Sequence, residues 1–143
     1  MINELWSCGK LSTHFVSKGW GYEIWMVNNE LYCGKILHVI KGKRCSVHYH
    51  KDKHETFYIK RGTIKLEYVY LKEFESYCKK YKQYGVNDTW MFLANHRILR
   101  VGDTFCIPPN TLHSFIGLSS TSEIIEISTH HEDEDSYRLI KGD

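Results

Sequence analysis

The sequence predicts an all-β protein, a sandwich or small barrel of about ten short strands. Short runs rich in β-branched and aromatic residues recur along the chain, bounded by Gly, Asn or Pro turn signals. Aromatic residues make up 14% of the composition, ten of them Tyr, and such side chains suit a pleated, half-buried surface. A single stretch, residues 71–89, breaks the strand rhythm.

In chain order, residues 1–19 read as an arm packed along the outside. Residues 20–28 form a strand, Asn28-Asn29-Glu30 a turn, and residues 31–41 a second strand. Gly42-Lys43 turns the chain into residues 44–50, a third strand. A polar loop leads to Glu55 and the apolar run 56–59, and Gly62 opens residues 63–70. In the interruption, Phe74, Tyr77, Cys78, Tyr81 and Tyr84 recur at spacings of three or four. That period predicts a helix with Gly85 as its C-cap, and a long irregular hairpin is the competing reading. Strands resume at 90–93, 97–101, 104–107, 112–116 and 123–128, and Pro108-Pro109 ends the third of these.

The 143 residues are expected to form one domain, 1–143, large enough to bury a core. Lys plus Arg number 19 and Asp plus Glu 17, a net charge of +2 with both signs interspersed. No basic stripe is present, which speaks against nucleic acid as a partner. The start lacks a basic region followed by an apolar one, and no apolar run approaches the length of a membrane span. Five scattered cysteines, Cys8, Cys33, Cys45, Cys78 and Cys106, without a CxxC pair, fit reduced thiols packed as small hydrophobes. Together these features predict a cytoplasmic protein that neither enters nor crosses a membrane.

The chemistry concentrates in two stretches. Strand side chains alternate faces, so His48 and His50 point the same way. If the following loop folds residues 56–59 back as a hairpin, Glu55 comes level with them, with His54 as its competitor. A third histidine, His113, lies in a second strand-turn-strand stretch, residues 102–117. Three neutral imidazoles and one carboxylate suit one divalent ion, zinc foremost, with Mn, Fe, Co or Ni as alternatives. His130-His131, followed by four acidic residues, reads as a solvated acidic turn rather than a second metal site.

The spacing is also a family signature. Gly42, His48-x-His50, Glu55 and Gly62 resemble the first cupin motif at every fixed position, and Gly102, Pro108-x-Asn110 and His113 resemble the second. Asn110 stands where a glycine is usual, and Gly117 where an asparagine is usual. Asn tolerates positive φ, so the first change is mild, whereas the second removes a polar group expected at the pocket rim. The resemblance implies a cupin jelly roll, a metal in the barrel mouth formed by His48, His50, Glu55 and His113, and a homodimer. More narrowly, Trp20-Gly21-Tyr22-Glu23, Lys35-Ile36-Leu37, Lys41-Gly42-Lys43-Arg44 and Glu123–Ile127 resemble the cupin of type II mannose-6-phosphate isomerases. Small stand-alone cupins of sugar-nucleotide pathways are also similar.

That resemblance implies a metal-dependent aldose–ketose isomerase acting on a sugar or sugar phosphate. Lys35 would then lie inside the barrel, holding the phosphate or protonating an oxygen. Glu126 or His54 would move the proton between C1 and C2, and Arg138 would clamp an anionic group. Fold alone does not decide function, so two other classes stay open. One is a carbohydrate-binding cupin whose metal is a staple. The other is an iron-dependent dioxygenase.

Overall fold

The computed structural model describes residues 14–143. Its strands are β1 (Phe15–Lys18), β2 (Gly21–Asn28), β3 (Cys33–Ile40), β4 (Val47–Tyr49), β5 (Glu55–Arg61), β6 (Thr63–Tyr70), β7 (Asn95–Arg100), β8 (Thr104–Ile107), β9 (Thr111–Gly117), β10 (Thr121–Ser128) and β11 (Tyr137–Ile140). Helices α1 (Leu71–Lys80) and α2 (Val86–Leu93) lie between β6 and β7. One sheet runs β1-β2-β3-β10-β5-β8 and the other β11-β4-β9-β6-β7, with antiparallel pairing between neighbours. From β7 onward each successive strand changes sheet, so the two sheets wind together as the jelly roll expected from the sequence.

Alternation along the strands builds the interior. Leu37, Val39, Phe57, Ile59 and Ile124 from the first sheet meet Ile64, Leu66, Leu99 and Phe115 from the second, each no more than 6% exposed. Each such side chain contributes about 1.5–3 kcal/mol on burial. The outward side of the second sheet is also apolar, carrying Val47, Val69 and Leu112. Phe74 of α1 and Trp90 of α2 close over it. Among the described residues no helix is long and apolar enough to cross a membrane.

The interruption is helical, but it divides differently from its aromatic spacing. α1 ends at Lys80, with Glu73 in its first turn and Lys79 and Lys80 in its last, as the helix dipole favours. Gly85 is the N-cap of a second helix rather than the C-cap of the first. Residues 90–93, expected as a strand, belong to that helix. A four-residue apolar run has no period of its own, and packing against the second sheet decides it. The third predicted strand is also shorter: only Val47–Tyr49 pairs continuously, and Arg44 makes a single bridge to Ile116.

Asn110 adopts φ 59°, so the left-handed position of the second motif is kept by a residue that tolerates it. Gly117 is not at a pocket rim. A Cβ there would stand 2.6 Å from the Ile40 carbonyl oxygen, so close strand approach excludes any side chain. Cys33 and Cys45 are buried as expected and Cys78 partly so, whereas Cys106 is exposed; Cys8 lies outside the described residues.

Candidate metal and sugar site

The strand registers stack polar residues at one end of the barrel interior. Across the first sheet, Trp25, Lys35, Glu126 and Phe57 are successive cross-strand partners, and Cys33, Ser128 and Glu55 form a neighbouring row. On the other side of Lys35 the rows through Leu37 and Val39 turn mainly apolar, with Ile124 and Ile59 beside Leu37 and with Glu23 and Ser122 as their polar members. Across the second sheet the partners run Arg138, His48, His113 and Tyr68. The inner faces thus bring a lysine–glutamate row opposite a histidine row, around a cavity of about 460 Å³.

His48, His50 and His113 converge, with ring nitrogens within 4.8 Å of one another. Each Nδ1 donates to a backbone carbonyl: His48 to Ser46 at 2.9 Å, His50 to Asp135 at 2.8 Å and His113 to Thr111 at 2.9 Å. A carbonyl only accepts, so every Nδ1 carries the proton and every Nε2 presents a lone pair. Fixing the tautomer in this way is how metal-ligating histidines are oriented. Burial, then the charge of neighbouring His113, holds His48 well below the usual imidazole range, and burial lowers His50 from it.

Glu55 stands against two of the three. Its Oε2 is 3.1 Å from His113 Nε2 and its Oε1 3.5 Å from His50 Nε2. Glu55 Oε2 and His113 Nε2 are both buried, and neither makes a hydrogen bond. With His113 neutral, two buried acceptors facing each other are destabilising unless a cation lies between them. Burial would raise the Glu55 carboxyl, but positive charge beside it, on His113 when that ring is protonated and on Lys53, outweighs burial and keeps it well below the usual carboxylate range. The donor set fits a divalent ion with three histidine ligands and one carboxylate.

Lys35 faces the cavity and is 2% exposed, as the resemblance implied. Its ammonium lies 4.0 Å above the Trp25 ring and 3.8 Å from Glu23 Oε2. Glu126, its cross-strand partner, is ion-paired elsewhere. Lys53 Nζ donates to Glu126 Oε1 at 2.5 Å and to Glu55 Oε1 at 2.7 Å, raising the Lys53 pKa against the opposing effect of burial. Lys53 is 3% exposed and was not legible as a site residue. It sits in a loop, where no side-chain period applies. Asp135 fixes that loop, accepting from the backbone N–H of Lys51 at 2.7 Å, of Asp52 at 3.1 Å and of Lys53 at 3.0 Å.

Arg138 is exposed at the cavity mouth, opposite His48 in the ladder. His54 does not join the site. It faces outward, with its Nε2 3.5 Å from Cys106 Sγ, because strand alternation turns it away as Glu55 turns in. His131, expected in a solvated turn, instead folds against the cavity. Its side chain is 9% exposed and packs edge-on to Trp25, with ring centres 4.9 Å apart. His130 turns elsewhere, bonding to the Asn29 carbonyl, so the pair forms no common metal site.

Comparison with known proteins agrees with this architecture. Oxalate decarboxylase from B. subtilis superposes with a TM-score of 0.68 at 17% identity, over 90% of this chain and 30% of that one. KdgF from Halomonas sp. gives 0.58 at 16% identity, over 79% and 81%. Both are cupins, and likeness at this identity shows the shared fold. Among curated proteins, a D-lyxose/D-mannose isomerase of Thermosediminibacter oceani is 30% identical over 115 residues, 76% of this chain and 61% of the relative. A D-lyxose ketol-isomerase of a Thermofilum species is 30% identical over 114 residues, 76% and 62%. The chain thus spans about three-fifths of the length of the curated relatives it matches. The D-lyxose isomerase family profile matches residues 21–141, the whole of both sheets except β1. The chain is a cupin and belongs to the D-lyxose isomerase family.

Proposed function

We propose that the protein is a metal-dependent aldose–ketose isomerase acting on free aldoses of the D-lyxose and D-mannose kind. The observation that carries this reading is the meeting of two half-sites in one cavity. Three histidines and Glu55 face Lys35 and Glu126 across it. The family membership and the names of the matched relatives support the substrate class.

His48, His50, His113 and Glu55 would hold the divalent ion, zinc foremost. Such an ion would polarise the sugar carbonyl and its neighbouring hydroxyl. Glu126 is proposed as the base that takes the proton from C2 and returns it to C1 through an enediol. Lys53 holds Glu126 Oε1, and no described residue hydrogen-bonds Oε2, which is left for the substrate. Lys35 is proposed to hydrogen-bond a sugar oxygen, and Arg138 to close the mouth over the outer hydroxyls.

The internal charges favour an uncharged sugar over a sugar phosphate. Lys35 is compensated by Glu23, and Lys53 by Glu55 and Glu126, so among the described residues no free cation waits at depth for a dianion. An isomerase of mannose 6-phosphate would need one. Assaying D-lyxose and D-mannose beside their phosphates tests this, with higher kcat/KM expected for the free sugars. A preference for the phosphates would assign the substrate class to them instead.

The assembly proposed is a homodimer in the cytoplasm. Phe15, Ile24, Ile36, Ile125 and Tyr58 form one cross-strand row on the outward side of the first sheet. No described helix covers that side, while Phe15 is 58% exposed and Tyr58 38%. The cysteines of the described residues are all free, in keeping with a reducing compartment.

A further inference from the structure

Isomerisation of an aldose needs two different proton transfers. A free aldose rests as a cyclic hemiacetal, so the ring must open before C2 can lose its proton. The groups assigned above leave the first task unfilled. The three ligand histidines all spend Nδ1 on carbonyls, and the one free oxygen of Glu126, whose other oxygen Lys53 holds, is assigned to the C2 proton.

His131 has the reverse arrangement. Its Nε2 lies 3.2 Å from Asp133 Oδ1, and a carboxylate only accepts, so Nε2 carries the proton. Its Nδ1 is then a lone pair, buried, without any hydrogen-bond partner, on a side chain that lines the cavity. An unpartnered buried acceptor is costly and calls for a ligand donor. The residue is also held in place. Its backbone N–H donates to Asn28 Oδ1 and its carbonyl accepts from Asn28 Nδ2, both at 3.0 Å. Burial, then the charges of Lys35 and Lys53, holds the imidazole below its usual pKa, in the neutral form that accepts a proton.

Resting on the isomerase reading, we propose that His131, oriented by Asp133, opens and closes the sugar ring, giving the protein an aldose-anomerising activity. His131 Nδ1 takes the proton of the O1 hydroxyl. As C1=O1 forms, the C1–O5 bond breaks and its electron pair stays on O5. The imidazolium then returns the same proton to O5. O1 and O5 share C1, so one imidazole reaches both, and no co-reactant is required. The Asp133 carboxylate accepts from Nε2–H throughout and stabilises the transient cation. Reclosure on the other carbonyl face gives the other anomer.

The test uses metal-loaded protein and freshly dissolved crystalline α-D-mannopyranose. Proton NMR follows the α and β anomers and any ketose in the same sample. The wild type is expected to accelerate α–β interconversion above the buffer rate. His131→Asn is expected to lose that acceleration by about 100-fold or more, the scale of a positioned acid-base group. Metal content should be unchanged. Asp133→Asn, which keeps the imidazole, is expected to lose part of it, and serves alone if His131→Asn fails to fold. Ketose formation without accelerated anomerisation overturns the ring-opening role and leaves the isomerase reading intact. Anomerisation that His131→Asn leaves intact also overturns it. His131-dependent anomerisation with no ketose from any aldose would instead sink the isomerase reading and keep the ring-opening role.

Discussion

Lys53 donates to Glu55 Oε1 at 2.7 Å while its ammonium also grips Glu126, so one loop lysine ties the metal-side carboxylate to the carboxylate across the cavity. Each half-site therefore depends on the other. Removing the cation leaves two buried carboxylates facing each other. Lys53→Met in metal-free protein is expected to lose about 3–5 kcal/mol of stability, the usual cost of breaking a buried ion pair from one side. Urea unfolding measures it. Adding Glu126→Gln should recover part of the loss, because it removes one of the stranded charges. Additive effects of the two changes would show that the bridge is not coupled.

Asp135 supports the histidine cluster at second hand. Its carboxylate gathers the backbone donors of the loop 51–53, and its carbonyl receives His50 Nδ1–H. Asp135→Ala frees that loop and slackens the carbonyl. Metal affinity should fall by about 10–100-fold, as for other residues that orient ligands. Competition with a chromogenic chelator reads the affinity. His50→Ala should abolish retention while leaving the β-sheet circular dichroism. Full metal occupancy in that variant would remove His50 from the ligand set.

The fold and the histidine trio were legible because strand alternation is a rule with period two. His48 and His50 share a face by that rule, and His113 reaches them once β4 and β9 pair. The same rule sends Glu55 inward and His54 outward. Lys53 and His131 escaped because each lies in a loop or turn, where distant backbone bonds set the side-chain direction. For His131 those bonds come from Asn28, over a hundred residues away in the chain. Lys35 faces the cavity and pairs with Glu23, while its cross-strand neighbour Glu126 is taken by Lys53. The period in 71–89 revealed a helix. Nothing local told that 90–93 continues as helix, since the outward face of the second sheet makes that choice.

The helices are part of the packed structure. Trp90 is 3% exposed against Val47, Val69 and Leu112, directly behind the β4 and β9 histidines. Trp90→Ala is expected to destabilise by about 3–5 kcal/mol, the usual cost of a large aromatic cavity. A folded, equally stable deletion of both helices would contradict this packing role.

Thiol labelling separates the cysteines. Burial pushes the Cys45 thiol up to about 12, opposed by the Phe115 N–H, which donates to its sulfur, and by its hydrogen bond to Ser114 Oγ. At pH 8 it is therefore almost wholly protonated and inaccessible. Iodoacetamide on native protein should modify Cys106 and leave Cys45 untouched until urea is added. Peptide mass spectrometry reads both sites.

The outward face of the first sheet predicts association. Light scattering after gel filtration should give twice the 16.9 kDa chain mass, and Ile125→Lys should return the monomer. A monomeric wild type at micromolar concentration would contradict the proposed dimer.

The central claim is turnover by the paired half-sites, and ketose formation measures it most directly. Metal-loaded protein is incubated with D-lyxose or D-mannose in deuterium oxide and followed by carbon NMR. The account predicts the corresponding ketose, with solvent deuterium at C1 wherever the proton carried by Glu126 exchanges. It also predicts loss of turnover with a chelator, recovery on adding metal, and loss by about 100-fold or more in Glu126→Gln. No ketose from any aldose or aldose phosphate at full metal occupancy, or unchanged turnover in Glu126→Gln, would contradict it.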